Sequence, residues 1–161
     1  MRLVPDRIDS AVGAGLVTAL LRDLEQRYGG PDPDEPLAAD LAPPNGIFIV
    51  AWRDEQPVGC GGVRLHQPGV GEIKRMYVHP DARRNGIAET VLATIEEHAR
   101  TLGYARLVLE TGTMQPEAIA LYEKRGYEAI APYGMYRESP LSRCFAKTIG
   151  ETPTTKEEDG R

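Results

Sequence analysis

Arg83-Arg84-Asn85-Gly86-Ile87-Ala88 lies between a strand-like run, Glu72 to Val78, and a helix-like run, Ala88 to Leu102. A glycine-containing turn at a helix start leaves several backbone N–H groups without intrahelical acceptors. Together with the positive end of the helix dipole they make an anion site. Arg83 and Arg84 add charge-assisted donors suited to phosphate oxygens. A ligand carrying phosphates is therefore expected here. The stretch lacks both the G-x-x-x-x-G-K-[ST] pattern of a nucleoside-triphosphate loop and the three-glycine fingerprint of a dinucleotide fold.

Working outward, the flanking elements alternate between two periodicities. Arg2 to Arg7 reads as a short first strand. Ser10 is placed to cap a helix running to about Tyr28, with Leu16, Leu20 (or Leu21) and Leu24 at helical spacing. Gly29-Gly30-Pro31 ends that helix. A short helical patch is expected around Leu37 to Leu41. Ile47 to Trp52 and Val58 to Leu65 read as a hairpin across a turn at Arg53 to Pro57, and Glu72 to Val78 extends it to a meander. Gly59, Gly61 and Gly62 are unusual inside a strand and mark a bulge or a close backbone approach. Asn85 to Leu102 is the strongest helix, stopped by Gly103. Arg106 to Glu110, reached after this crossover, is expected parallel to Glu72–Val78. A helix from Pro116 to about Arg125 and closing strands Tyr127–Ile130 and Leu141–Thr148 complete an α+β order with a mixed sheet.

At 161 residues the chain is expected to form one domain, residues 1–150, with Glu151 to Arg161 a polar, disordered tail. The net charge of −5 argues against a general nucleic-acid binder, which needs a basic footprint. Lys74, Arg75, Arg83 and Arg84 still supply a local basic patch beside the glycine turn. No apolar run approaches the ~20 residues a membrane span requires. With no signal-peptide pattern, a cytoplasmic protein is the default. Cys60 and Cys144 have no CxxC or CxxH spacing and are expected to be buried free thiols. The three histidines form no metal-ligand spacing, so no metal is expected.

The turn also matches [RQ]-x-x-G-x-[GA], preceded by Met76-Tyr77-Val78-His79-Pro80. Further on comes Ala118-x-x-Leu121-Tyr122-Glu123-Lys124-x-Gly126-Tyr127. In this order and spacing the motifs resemble the acetyl-coenzyme A-dependent GNAT N-acetyltransferases. The resemblance runs from roughly Ile47 to Ile130, about half the chain. It implies a mixed central sheet flanked by helices, with the strands before and after the main helix splayed into a cofactor cleft. Acetyl-coenzyme A is the implied co-substrate, with Arg83, Arg84, Asn85, Gly86, Ile87 and Ala88 at its pyrophosphate. Met76, Tyr77 and Val78 offer packing and the strand edge that would pair with its pantetheine arm. Gln115 stands where many relatives have asparagine; it keeps the amide but lengthens the side chain.

Acetyl transfer from a thioester to an amine needs a deprotonated amine, a stabilised oxyanion and a protonated leaving thiolate. The resemblance implies Glu72 as the base, since it lies fourteen residues before Gly86, the spacing of the base in the histone-acetylating branch. It could act directly or through a water. Tyr122 is the implied acid, because a phenol with an ordinary pKa near ~10 stays protonated at neutral pH. Packing is the competing role for Tyr122, and simple solvation for Glu72. Glu110 and Thr111 at the end of a cleft strand could also face the acceptor. The acidic stretch Asp32, Asp34, Glu35 and Asp40 and the loop Tyr133 to Pro140 would wall the acceptor pocket. A small-molecule amine is the leading acceptor. Protein lysines or N-termini, a non-catalytic acyl-coenzyme A-binding module, and a homodimer all remain open.

Overall fold

Ser10 begins the first helix as its position predicts. Its Oγ accepts a hydrogen bond from Gly13 N at 2.9 Å and caps α1 (Ala11–Tyr28). Leu16 and Leu20, a turn apart, face inward, and Gly29 closes the helix in the left-handed conformation (φ 81°). The computed structural model describes residues 1–32 and 34–150, so the expected tail lies outside the described residues. α2 (Ile87–Thr101) buries Ile87, Val91, Leu92, Ile95 and Ala99 along one face. α3 (Pro116–Lys124) starts on a proline, whose missing N–H costs nothing in a first turn. The patch expected near Leu37 is a 3₁₀ turn, Ala38–Leu41, that buries Leu41.

Among the described residues seven strands form a single sheet: β1 (Arg2–Asp6), β2 (Ile47–Arg53), β3 (Gln56–Gln67), β4 (Val70–Val78), β5 (Arg106–Gly112), β6 (Glu128–Ile130) and β7 (Ser142–Thr148). Their spatial order is β1-β2-β3-β4-β5-β7-β6, antiparallel throughout except for the β4–β5 pair. That pair is parallel because α2 carries the chain back across one face between them. The expected mixed α+β sheet is thus present. β3 is longer than expected, because the turn before it shrinks to Asp54-Glu55, both at positive φ as tight hairpins require.

β2 shows why one strand can build two cores. Ile47, Ile49 and Ala51 join the cluster beneath α2, while Phe48 and Val50 join Leu16, Leu20 and Leu41 beneath α1. A strand buried on both faces reads as a continuous apolar run, and Ile47–Ala51 does.

Two irregularities at the centre of the sheet make the site. The β4–β5 register holds only for Val70↔Arg106, Gly71↔Leu107 and Glu72↔Val108. Past Glu72 and Val108 the two strands run on unpaired with each other, which is the expected splay. On the other side of β4 the register with β3 shifts between Cys60 and Gly62, with Arg75 at φ 61°. Arg75 and Met76 together oppose Gly61, so the extra residue belongs to β4. Gly61 supplies the close approach. A Cβ there would collide with Met76 Sδ and come within 3.0 Å of Ile95 Cδ1.

Candidate active site

The helix start is built as an anion site. Gly86 (φ 75°) is the N-cap of α2, and no side chain caps it. Thr90 is the first residue whose N–H returns to the turn, reaching Gly86 O at 3.1 Å. The N–H groups of Ile87, Ala88 and Glu89 therefore have no intrahelical acceptor. Arg84 is also left-handed (φ 68°) and exposed, and its side chain makes no hydrogen bond or ion pair to the described residues. The expected residues divide their work differently from the expectation that all would face the ligand. Asn85 Nδ2 donates to Ala82 O (3.2 Å) and Arg83 O (3.4 Å), which holds the turn. The Ile87 side chain is buried in the core, so only its backbone faces the turn. Arg83 folds back, its Nε donating to Val78 O at 2.9 Å and its guanidinium lying 5.9 Å from the Tyr77 ring centroid. Val78 O is thereby taken, and Tyr77 is packed with the α1 core. Uncapped amides with a free arginine fit a phosphate group at Arg84 to Ala88.

From this turn the opened edge of β4 leads into a cavity of about 90 Å³ lined by Arg75, Met76, Leu109 and Tyr122. Tyr122 packs in the core and also reaches the cavity. Its ring is buried edge-on to Tyr127, with centroids 5.7 Å apart, and it stands near Phe145. Yet it lines the cavity, and its hydroxyl bonds none of the described residues. Burial pushes its pKa well above the ordinary phenol range.

A larger cavity of about 320 Å³ shares Leu24, Asp32, Lys74, Glu110, Thr111 and Gln115 with the first. Gln115, the N-cap of α3, accepts from Tyr28 Oη at 3.1 Å and faces both spaces. The acidic loop and the later loop do form walls. Asp32 and Tyr136 both line the cavity, and Tyr136 Oη donates to Asp32 Oδ1 at 3.0 Å.

Behind this wall runs a belt of charge. Arg64 bonds Glu72 (2.9 Å) and Asp34 (3.0 Å). Lys74 pairs with Asp34, and Arg75 pairs with Asp32 at 2.9 Å and donates to the Asp34 carbonyl. Burial works against charge on Asp34, but the hydrogen bonds and charges of Lys74 and Arg64 win and hold its carboxyl below the usual range. Arg75 Nε is buried without a partner among the described residues.

Glu72 belongs to that belt. Its Oε1 accepts from Arg64 and its Oε2 from Tyr133 Oη at 3.0 Å, and it lines neither cavity. The structure thus brings Tyr122 to the cleft and leaves Glu72, with both oxygens engaged, behind the wall. Two carboxylates face both cavities, Asp32 and Glu110, and Asp32 is ion-paired with Arg75 whereas Glu110 has no ion pair among the described residues. Glu110 Oε2 accepts from Ser142 Oγ at 2.7 Å. Burial, with the nearby charges of Glu72 and Asp32, raises its pKa against the opposing pull of Ser142 and Lys74. Its position at the end of the last cleft strand was the one available signal. Arg64, Ser142 and Tyr28 carried no such signal, and Arg75 stands out in the sequence only as part of a basic patch, because it is the fold that brings their partners to them.

The sequence model of the family described as Acetyltransferase (GNAT) family matches residues 13–127. A protein of Azospirillum brasilense named IAA acetyltransferase is 38% identical over 138 residues, covering 83% of this chain and 90% of that one. A solved structure from Klebsiella pneumoniae, assigned to the acyl-CoA N-acyltransferases, is 30% identical. Its TM-score is 0.78 over 92% of this chain and 97% of that one. An aminoglycoside 6'-N-acetyltransferase solved with coenzyme A has a TM-score of 0.73 over 96% of this chain and 100% of that one. At 18% identity this is a likeness of fold alone.

Proposed function

Because the chain belongs to the GNAT family of acetyltransferases, we propose that it moves an acetyl group from acetyl-coenzyme A directly to the primary amine of a small molecule. The observation that carries this reading is the divergence of β4 from β5 after Glu72 and Val108. It opens one cleft with uncapped amides at one end and the Tyr122 hydroxyl and Glu110 carboxylate at the other. The N–H groups of Ile87, Ala88 and Glu89 and the Arg84 guanidinium would hold the pyrophosphate. Met76 and the Val78 N–H offer the strand edge, and Gln115 an amide, to the pantetheine arm. When bound, the donor supplies the thioester acetyl carbon. Tyr122 remains protonated through the neutral range and gives its phenolic proton to the departing sulfur. Glu72 acts as a positioning residue, orienting Arg64 and Tyr133 behind the wall.

Neither thiol supports an acetyl-cysteine intermediate. Cys60 and Cys144 are buried and free, neither lines the cavities, and burial pushes the Cys60 thiol up to about 12. Two unpaired thiols also suit a reducing, cytoplasmic setting in this reading. No helix among the described residues is long and apolar enough to cross a membrane. The 320 Å³ cavity lies at the small end of the roughly 300–1,000 Å³ typical of ligand pockets, which favours a small acceptor over a protein surface. Initial rates of thiol release with acetyl-coenzyme A and a panel of amines test the proposal. Amine-dependent release is expected. No release with any amine, together with no binding of acetyl-coenzyme A, would overturn it.

A further inference from the structure

The charged side chains that line the larger cavity are Asp32, Lys74 and Glu110, and of these only Glu110 has no ion pair among the described residues. Arg64, Lys74 and Arg75 are matched by Asp32, Asp34 and Glu72 in the bonds described above. Glu110 is left over. It makes no ion pair among the described residues, and Ser142 is its one side-chain donor. The surrounding wall is apolar or aromatic at Leu24, Pro31, Leu141, Tyr28 and Tyr136. A single carboxylate without a cation, set in such a wall, is complementary to one ammonium on an apolar body. A second ammonium would find Asp32 already committed to Arg75 and Tyr136. A carboxylate on the ligand would meet Glu110 with no free cation among the lining residues to receive it.

On the reading that this cleft acetylates a small amine, we infer that Glu110 receives the acceptor's ammonium and takes its proton, and that the acceptor is a monoamine with an apolar body and no carboxylate. The protons balance as follows. Glu110 accepts one proton from the ammonium and passes it to water. The neutral nitrogen forms the C–N bond as the thioester C–S bond breaks. Tyr122 protonates the departing sulfur and recovers the second proton released by nitrogen. The groups facing Glu110 are Lys74 and Glu72 on β4, Asp32 on the acidic loop, Ser142 and Cys144 on β7, and Tyr133 and Tyr136 on the later loop. Only Lys74 among them is a cation, and Asp34 holds it.

The test measures kcat/KM against pH for 2-phenylethylamine, phenylalanine and spermidine, with coenzyme A affinity by calorimetry as an independent readout of folding. The wild-type protein is expected to prefer 2-phenylethylamine by on the order of tenfold or more over both others, since each of them buries an unmatched charge. E110Q should lose about a hundredfold in kcat/KM and its acidic limb while keeping coenzyme A affinity. E110D should restore part of the rate. S142A removes a hydrogen bond that favours the ionised carboxylate, so its acidic limb should move to higher pH. E110Q with wild-type rate and limb, or an S142A limb that stays in place, would overturn the role of Glu110. Turnover of phenylalanine or spermidine as good as that of 2-phenylethylamine would overturn the substrate class and leave amine acetylation standing. Thiol release with none of the amines would overturn the wider proposal as well.

Discussion

Tyr122 combines a packed ring with a hydroxyl proposed as the acid. Its ring completes the cluster with Tyr127 and Phe145 while its hydroxyl reaches the small cavity. Tyr122→Phe keeps the ring and removes the proton. The expected result is a fall of about a hundredfold in kcat with little change in the thermal midpoint. The pKa of Tyr122 is raised, so the acid form persists to higher pH than an ordinary phenol near ~10 would allow. Any basic limb in the wild-type kcat profile below that value must therefore belong to another group, and it should survive in Tyr122→Phe. The motif around Leu121-Tyr122 made this residue legible. Glu72 was legible only as a position. What moves it out of contact is a pair of bonds to Arg64 and Tyr133, eight and sixty-one residues away, and no local pattern encodes such pairings.

At the scale of elements, the start of α2 depends on backbone conformation more than on side chains. Gly86 holds φ 75° with open space around it, so the penalty for a side chain there is conformational and not steric. Gly86→Ala is expected to cost about 1–2 kcal/mol in that left-handed turn. This should weaken coenzyme A binding roughly five- to thirtyfold, as titration calorimetry would read, with the helix content by circular dichroism unchanged. Glycine before a helical pattern is easily read, and the turn, the approximate helix limits and the meander with its parallel neighbour followed from such punctuation, whereas the insertion of β7 between β5 and β6 did not. Nor did the bulge. Gly61 flags that something approaches β3 closely, but the inserted residue is Arg75 on β4, a residue type that gives no hint of left-handed backbone. Only the pairing of two strands on either side of it reveals the offset.

Across the whole molecule, Glu96 ties the last third of the chain to α2. It is almost wholly buried and accepts from Arg125 (2.8 Å), Tyr127 (2.8 Å) and Lys147 (3.0 Å). Burial opposes its charge, yet these three donors hold its carboxyl below the usual range. A carboxyl depressed in the folded state contributes stability that is present above its unfolded pKa of about 4.3 and is lost as pH falls through the folded value. Glu96→Ala should lower stability by about 1–3 kcal/mol near neutrality, because it leaves the buried Tyr127 hydroxyl and two partly buried cations without their acceptor. It should also flatten the acid side of the stability curve, measured by denaturant unfolding from pH 7 down to pH 3. The charge belt at the other end of the molecule bears on substrate range. Asp32 and Asp34 sit in the loop that borders the larger cavity, yet they are the counter-ions of Arg75 and Lys74 on the central strand. Grafting a relative's loop into this position would leave two scaffold cations without their carboxylates unless β4 were exchanged with it. Selectivity here is not a detachable cassette, and recombination experiments should find it inherited only in blocks that carry the loop and the strand together.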